Sequence, residues 1–387
     1  MRVKKLDIVY LDHAAATPLD ERVLAAMQPY FSDDFYNPSS PYAPAVMVRR
    51  AYEDARHRLA MAIGGKPSEV IVTAGATESI NLMFGSVSGH VVTSKIEHPA
   101  VLETAKRHES TVIAPDAKGT VSAEVVKQAI RPETQLVSIQ LANNEVGTIQ
   151  PLRDIAEVVR TERQRRRETG EDTPIYFHSD ASQGVGQIDV NVARLGVDAL
   201  TINAGKIYGP KQVALLWVAS HVQLEPLIVG GGQERGLRSG TENVAGAVGF
   251  SLALELAQQH ASGESKRLRE LRDYLQSELL EEFPDAVISG NQKKRLSGHL
   301  HISFPGLDAE RLIFMLENEG VLAATGSACA ANKGTRSHVL EAIGLAPEVA
   351  DGSLRLTLGR LSNKQNIEAA LAIIKHMVIK ERERVSS

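Results

Sequence analysis

The sequence predicts an α/β fold with two domains, a large one built around a mostly parallel seven-stranded sheet and a smaller α+β one. Short apolar runs typical of buried strands alternate with helical patterns over the first part of the chain, as in parallel sheets covered on both faces. At 387 residues the chain is too long for one small core. We expect the large domain at 16–260 and the small domain at 1–15 and 261–387.

The strands of the predicted sheet are short and rich in β-branched residues. They are Glu69–Thr73, His90–Ser94, Thr111–Ala114, Leu136–Gln140, Ile175–Asp180, Ala199–Ile202 and Val213–Ala219. Helical periodicity covers 20–30, 46–63 and 244–258. Functional groups on such sheets gather beyond the carboxyl ends of the strands, where His98, Asn144, Asp180 and Lys206 fall.

The second domain is predicted from a change of pattern near residue 261. The run Ala261-Ser-Gly-Glu264 favours a break between two helices, of which the second carries leucines at 268, 271, 275 and 279. Strands at 299–304 and 353–358 and a helix near 310–317 follow. Ser362 and Gln365 have the spacing of a capping box for the last helix.

Composition excludes several classes of protein. The net charge of −4 gives no reason to expect a nucleic-acid surface, and no apolar run reaches membrane-spanning length. Residues 1–10 lack the apolar core of a secretory signal, so we expect the cytoplasm and no membrane partner. The one cysteine, Cys329, excludes an intramolecular disulfide and a multi-cysteine metal site, and we expect no metal.

A lysine and an acid follow two neighbouring predicted strands. Lys206 lies in a Gly-Lys-Ile-Tyr-Gly-Pro turn, and Asp180 ends the strand Ile175–Asp180. An isolated lysine in such a place is usually a solvated loop charge. A lysine that can form a Schiff base and an acid that can hold a pyridinium nitrogen are together the minimal set for pyridoxal 5'-phosphate (PLP). The pair therefore predicts a PLP site.

Two further stretches carry groups that suit such a site. The strand Glu69–Thr73 runs into Ala-Gly-Ala-Thr77-Glu-Ser79, and a helix N-terminus there would favour a phosphate, although Thr77 or Ser79 could simply cap the helix. Cys329 lies among small and polar residues without a periodic apolar face. That setting predicts a loop, where a cysteine is more often reactive than it is in a core.

The motifs together resemble the PLP-dependent cysteine desulfurases of the NifS/IscS type, within the class V aminotransferases of fold type I. Matching stretches run nearly from end to end of the chain. They are Tyr-Leu-Asp-His-Ala-Ala-Ala-Thr at 10–17, Asn-Pro-Ser-Ser at 37–40, Gly-Ala-Thr-Glu-Ser at 75–79, Glu-His at 97–98, Asn-Asn-Glu-Val-Gly at 143–147, Asp-Ala-Ser-Gln at 180–183, Lys-Ile-Tyr-Gly-Pro-Lys at 206–211, Arg-Ser-Gly-Thr at 238–241, Gly-Ser-Ala-Cys at 326–329 and Arg355.

The resemblance implies a role for each matching residue. Lys206 would hold the cofactor, Asp180 would pair with the pyridine nitrogen, and His98 would stack on the ring and move protons. Asn144 and Gln183 would form hydrogen bonds with the hydroxyl group of the cofactor ring. Cofactor contacts are also implied for Ala76, Thr77 and Asn203, and for Thr241 from the partner subunit of a homodimer. Arg355, with Asn37 nearby, would bind the substrate carboxylate, a task that suits a planar guanidinium.

The implied reaction converts L-cysteine to L-alanine and leaves the sulfur on Cys329 as a persulfide. The Ser-Ala-Cys-Ala setting resembles the long-loop branch of the family, whose cysteine hands sulfur to acceptor proteins. The implied acceptor is an iron–sulfur scaffold protein or a tRNA-thiolation enzyme, and the sequence does not choose between them.

The chain departs from the usual family pattern at three positions. Asn203 and Gly205 stand where serine and histidine normally contact the cofactor phosphate, and Tyr42 stands where histidine is common. Three alternatives therefore stay open beside a cysteine desulfurase: a selenocysteine lyase, another class V aminotransferase, and a weakened PLP-fold scaffold in a sulfur-relay complex. A transaminase has no need of a loop cysteine, so Cys329 argues against that reading.

Overall fold

A seven-stranded sheet organises the chain in a computed structural model that describes residues 8–326 and 336–386. Along the sheet the strands run in the order β2-β8-β7-β6-β5-β3-β4. They are β2 (Val70–Thr73), β3 (His90–Ser94), β4 (Ser110–Ile113), β5 (Thr134–Ser138), β6 (Tyr176–Asp180), β7 (Ala199–Asn203) and β8 (Ala214–Val218).

Parallel pairing brings the carboxyl ends of the central strands to one edge of the sheet. β4, β3, β5, β6 and β7 pair in parallel, and β8 is antiparallel to both β2 and β7. Nearly every residue of the central strands is buried, as expected for strands covered on both faces. The predicted α/β class and the mostly parallel seven-stranded sheet are confirmed.

Two smaller sheets lie outside this one. In the first, β10 (His299–Ser303) pairs antiparallel with β9 (Val287–Ile288) and β12 (Ser353–Thr357). In the second, β1 (Val9–Tyr10) pairs in parallel with β11 (Val321–Leu322). One hydrophobic cluster joins Val9 and Leu11 to residues between 268 and 378. This shared core supports the proposal that the N-terminal residues belong with the C-terminal part of the chain.

Helices cover the sheets and connect the strands. In the part of the chain that the structure describes, the α-helices are Glu21–Met27, Pro29–Ser32, Ala43–Ile63, Ala76–Gly85, Pro99–Ala105, Ala123–Ala129, Leu152–Thr169, Val192–Leu195, Val244–Glu282, Ala309–Asn318, His338–Ala342, Pro347–Ala350 and Lys364–Ser386. None of the helices described here is long and apolar enough to cross a membrane.

The predicted break at Ala261-Ser-Gly-Glu264 is wrong, because the helix Val244–Glu282 runs through it without interruption. A glycine inside a helix costs only about 1 kcal/mol, which packing on both sides can offset. Leu256 and Leu268 are both buried, and Ser265 Oγ donates to the Gln187 carbonyl at 2.6 Å. We retain the division at residue 260 as a proposal, with the boundary inside a helix.

The predicted capping box of the last helix is also wrong, by one residue. Asn363 and Asn366 each accept the other's backbone N–H through the side-chain oxygen at 2.9 Å. The hydroxyl of Ser362 instead accepts the backbone N–H of Gly359 at 3.1 Å. Asparagine caps helices as well as serine does, and here the hydroxyl of Ser362 is taken up by its local contact with Gly359.

Candidate active site

Lys206 lies in a short 3₁₀ turn, Ala204–Lys206, that directly follows β7. Its Nζ donates to the carbonyl oxygen of Ala14 at 2.8 Å and to that of Ala15 at 2.7 Å. Strand β7 therefore delivers the amine to the carboxyl edge of the sheet, where the N-terminal segment of the chain holds it. The sequence indicated Lys206 but gave no signal for the two alanine carbonyls.

A cavity of about 270 Å³ opens around this amine. Its lining includes most of the residues that the sequence singled out as candidates for cofactor or substrate binding. They are Ala76, Thr77, His98, Asn144, Asp180, Gln183, Asn203, Lys206 and Arg355. The topology thus gathers in one place side chains that are spread over some 280 residues of sequence.

Three polar side chains that line the cavity form hydrogen bonds with backbone groups. Asp180 ends β6, and its Oδ1 accepts the backbone N–H of Ser182 at 2.9 Å. Gln183 donates from Nε2 to the Ala14 carbonyl at 3.1 Å, so it shares that acceptor with Lys206. Asn203 accepts the backbone N–H of Gly205 through Oδ1 at 3.0 Å, which leaves its amide N–H groups to act as donors.

His98 stands at the N-terminus of the helix Pro99–Ala105 and lines the cavity. Its Nδ1 accepts the backbone N–H of Ala100 at 3.1 Å, so the proton of the neutral ring sits on Nε2. The loss of water around the ring lowers the pKa of His98, and the charge of Lys206 lowers it further, whereas Asp180 opposes them. The ring is therefore held neutral with one donor nitrogen.

The helix Ala76–Gly85 begins at the cavity. Its N-cap, Gly75, offers no side-chain acceptor to the first turn, and Ala76 and Thr77 line the cavity. A Cβ built on Gly75 would meet no atom within 4 Å, so there is room beside the helix terminus. Backbone N–H groups at a helix start, together with the helix dipole, favour an anion.

Arg355 on β12 reaches the cavity from the smaller sheets. Its side chain is 2% exposed, and its Nη2 donates to Asp12 Oδ1 at 2.7 Å. Nη1 lies 3.4 Å from the Asn144 carbonyl, and the buried Nε has no hydrogen-bond partner among the described residues. The sequence had pointed to Arg355 but not to Asp12, whose motif was matched without a role.

Three candidates are not gathered at the cavity. Asn37 is exposed, and its Oδ1 accepts the backbone N–H of Ser39 at 2.9 Å. Thr241 is also exposed and, like Asn37, is not among the described residues that line the cavity. Cys329 lies outside the described residues. Within residues 8–326 and 336–386, no group of three or more His, Cys, Asp or Glu side chains could hold a metal ion.

Comparison with known proteins identifies the family. Cysteine desulfurase IscS of Dictyoglomus turgidum is 41% identical over 386 residues, which cover 97% of this chain and 95% of that protein. Cysteine desulfurase IscS 1 of Archaeoglobus fulgidus is 39% identical over 381 residues, which cover 95% and 96%. The family model described as aminotransferase class-V matches residues 9–370. The chain belongs to the class V aminotransferases, among the cysteine desulfurases.

Solved structures agree with this family and with its fold. A NifS-like protein superposes with a TM-score of 0.88 at 33% identity and covers 96% of this chain and 100% of its own. The structure of SspA in complex with cysteine has a TM-score of 0.74 at 35% identity, with coverage of 90% and 98%. The resemblance and the fold type I architecture inferred from the sequence are confirmed.

Members of this family depend on PLP, and the residues around the cavity fit that group. An amine, a carboxylate and a helix N-terminus match the aldehyde, the pyridine nitrogen and the phosphate of PLP in chemical type. Lys206, Asp180 and Thr77 supply these three groups and line one cavity. Beside Gly205 there is also room, because a Cβ built there would meet its nearest atom, Asn203 Oδ1, at 3.4 Å.

Proposed function

We propose that the protein is a PLP-dependent cysteine desulfurase that converts L-cysteine to L-alanine and transfers the sulfur to Cys329 as a persulfide. The single observation that carries the proposal is the cavity in which Lys206, Asp180 and Arg355 meet. An amine, a carboxylate and a buried guanidinium at one cavity suit a cofactor and an amino-acid substrate. The family relationship supplies the reaction class.

Around the cofactor, each side chain has one task. Lys206 would bind PLP covalently, Asp180 would pair with the pyridine nitrogen, and Asn144 and Gln183 would contact the ring hydroxyl. When bound, PLP supplies the electron sink that lets negative charge develop at the substrate α-carbon. The phosphate would be held by Ala76 and Thr77, by the Asn203 amide, and by Thr241 of a second copy of the chain.

Arg355 would bind the α-carboxylate of L-cysteine. Asp12 orients the guanidinium through Nη2, while Nε and the weakly engaged Nη1 remain as donors. A guanidinium binds a carboxylate bidentately through Nη2 together with either Nε or Nη1, so the N–H of Nη2 that Asp12 leaves open would complete the pair. Asn37 stays a further candidate for substrate binding, although the structure leaves it outside the cavity of its own chain.

His98 would move protons at the substrate. Because Nδ1 accepts from the Ala100 backbone, Nε2 is the nitrogen that can exchange a proton with a bound molecule. The lowered pKa favours the neutral ring. With its proton on Nε2 the ring donates a hydrogen bond into the site, and it takes up a proton only when Nδ1 releases the Ala100 N–H.

Sulfur transfer uses the thiolate of Cys329 as the nucleophile. The thiolate attacks the sulfur of L-cysteine, a sulfur–sulfur bond forms, and the carbon–sulfur bond breaks. The electron pair of the broken bond stays with the β-carbon, which takes up a proton and becomes the methyl group of alanine. Cysteine and one protein thiol give alanine and one persulfide, so no outside oxidant or reductant enters.

Self-association is proposed from the exposed apolar surface. Phe31, Phe35 and Tyr42 are exposed near the N-terminus, and Leu227 and Val229 are exposed in the loop that leads to Thr241. Large exposed apolar side chains of this kind mark interaction surfaces. A homodimer would cover them and would bring Thr241 to the neighbouring active site, since most homo-oligomers are symmetric dimers.

The further destination of the sulfur is a protein acceptor. An iron–sulfur scaffold protein and a tRNA-thiolation enzyme are both kept as candidates, because Cys329 could hand its sulfur to either. The cytoplasm stays a prediction from the sequence.

Product analysis tests the function. Purified protein with bound PLP is incubated with L-cysteine and a thiol reductant, and alanine and sulfide are measured; equal amounts of both are expected. In Cys329→Ala, L-cysteine should still change the visible spectrum of the cofactor, but no persulfide should form. Undiminished alanine production by that variant without added thiol would contradict the mechanism.

The same assay separates the alternatives. A keto acid instead of alanine would identify an aminotransferase, and turnover of selenocysteine alone would identify a selenocysteine lyase. A protein that retains no PLP and gives none of these products would be a scaffold.

A further inference from the structure

Glu145 contacts the chain on both sides of segment 327–335, whose sequence contains Cys329. After the segment, Ser337 donates from Oγ to Glu145 Oε2. Before it, a Cβ built on Gly326 would lie 3.1 Å from that same oxygen and 3.4 Å from the Ser337 Cβ. Glu145 is 1% exposed. One buried carboxylate oxygen therefore accepts from one described flank and lies close to the other.

Glu145 belongs to the loop that also carries the cavity residue Asn144. Asn143 accepts the backbone N–H groups of Glu145 and Val146 through Oδ1, both at 2.9 Å. Asn144, next to Glu145, lines the cavity, and its carbonyl lies 3.4 Å from Arg355 Nη1. The loop that holds Asn144 at the cavity thus also fixes the backbone of Glu145.

A second contact joins the later flank to the cavity. Ser337 is the N-cap of the helix His338–Ala342, and His338 donates from Nε2 to the Glu97 carbonyl at 3.0 Å. Glu97 directly precedes His98 in the chain. Ser337 and His338 therefore contact the two loops that carry Asn144 and His98.

The other oxygen of the Glu145 carboxyl group, Oε1, is buried without a hydrogen-bond partner among the described residues. A buried acceptor without a partner costs stability, so packing alone does not explain a glutamate here. An apolar side chain would fill the space at lower cost.

We propose that Glu145 is a positioning residue for sulfur transfer. By accepting from Ser337 and lying close to Gly326, it fixes the two described residues between which Cys329 lies in the sequence, and we expect this to set the rate of sulfur transfer to Cys329. The inference rests on the proposed cysteine desulfurase function and adds a residue that touches neither substrate nor cofactor. A misplacement of about 1 Å can cost roughly a hundred-fold in rate.

Variants of the carboxyl group and its serine partner test the proposal in the PLP-loaded enzyme. Glu145→Ala and Ser337→Ala should slow single-turnover formation of the Cys329 persulfide roughly ten- to a hundred-fold. PLP content and the KM for L-cysteine should not change. Glu145→Gln should lie closer to wild type than Glu145→Ala, because the amide oxygen can still accept from Ser337.

Gly326→Ala tests the other flank. The added methyl group would press on Glu145 Oε2, so the variant should slow persulfide formation in the wild-type background and add little to Glu145→Ala. Ser122→Ala serves as the matched control, because Ser122 caps the helix Ala123–Ala129 in the same way but is remote in sequence from the Cys329 segment. Its persulfide rate should equal that of wild type.

The outcomes separate this inference from the proposed function. Unchanged persulfide rates in Glu145→Ala and Ser337→Ala, beside normal wild-type turnover, would overturn the role of Glu145 alone. A rise in KM or a loss of PLP that accounts for the slower rate would overturn it too, since the residue would then act on binding. A wild-type enzyme that forms no persulfide would overturn both proposals.

Discussion

Arg355 donates from Nη2 to Asp12 Oδ1 at 2.7 Å, and thereby joins β12 to the start of the chain. Asp12 accepts from one of the three guanidinium nitrogens, so the proposed substrate carboxylate would bind at the N–H groups that Asp12 leaves open. The ion pair is nearly closed to solvent on the arginine side, with exposures of 2% for Arg355 and 17% for Asp12. The pair therefore orients Arg355 before substrate arrives.

Arg355→Lys tests this orientation. Lysine keeps the charge but loses the planar fork that binds a carboxylate with two hydrogen bonds. We expect the KM for L-cysteine to rise by roughly ten- to a hundred-fold, since a charged hydrogen bond is worth about 1.5–3 kcal/mol. Steady-state kinetics measure this KM, and a PLP titration ensures that both proteins carry the cofactor. Arg382→Lys, in an exposed ion pair with Asp285, is the control, and an unchanged KM for Arg355→Lys would refute the assignment.

Lys206→Ala should abolish turnover and the visible absorbance of covalently bound PLP. The reason is that Lys206 Nζ lies at the carboxyl edge of the sheet, in the same cavity as Asp180. Borohydride reduction followed by peptide mapping locates the attachment site. Lys211 is the nearest competitor in sequence, so Lys211→Ala is the control and should keep the absorbance. A reduced adduct on Lys211 would show the assignment to be wrong.

Gly205→His should tighten PLP binding by about ten-fold. A histidine there could donate to the phosphate, and loss of one such hydrogen bond costs about 1.5–3 kcal/mol, of which the Asn203 amide and the helix start at Ala76 recover a part. The backbone allows the change, because a Cβ at this position would meet nothing closer than 3.4 Å. The test is to measure the PLP dissociation constants of wild type and of Gly205→His. Equal or weaker PLP binding by the variant would mean that other groups already supply the hydrogen bonds that the phosphate needs.

Acid should destabilise the protein through three buried histidines. Burial lowers the pKa of His178 to about 4 and the pKa values of His299 and His301 to about 3, from an ordinary value of 6.5. Below pH 6.5 the unfolded chain therefore binds protons that the folded chain does not. Stability falls as the pH decreases, by about 1.4 kcal/mol per pH unit for each histidine.

Urea denaturation at pH 7.5 and 5.5 measures this effect. His301→Asn should reduce the difference in unfolding free energy between the two pH values by about 1.4 kcal/mol, because one titrating ring is gone. The exposed His57 gives the control variant His57→Asn, which should keep the wild-type difference. An unchanged difference in His301→Asn would show that this ring takes up its proton in the folded state as well.

Much of the fold could be predicted because its signals are local. The apolar runs of β3, β6 and β7 and their alternation with helices predicted a parallel sheet, and the sheet edge then placed Asp180 and Lys206 together. The errors arose where local signals were weak or ambiguous. Gly263 did not end the helix Val244–Glu282, since packing of its neighbours outweighs one glycine.

The sequence by itself determined the seven strands of the large sheet, the family and most of the residues that line the cavity, because β-branched runs, strand-end turns and motif spacing are properties of short segments. Only the tertiary structure decided that Asp12 holds Arg355 across 343 positions, that the Ala14 and Ala15 carbonyls hold Lys206, and that Ser337 donates to Glu145. Such pairs depend on how distant elements pack, and local preferences carry no information about them.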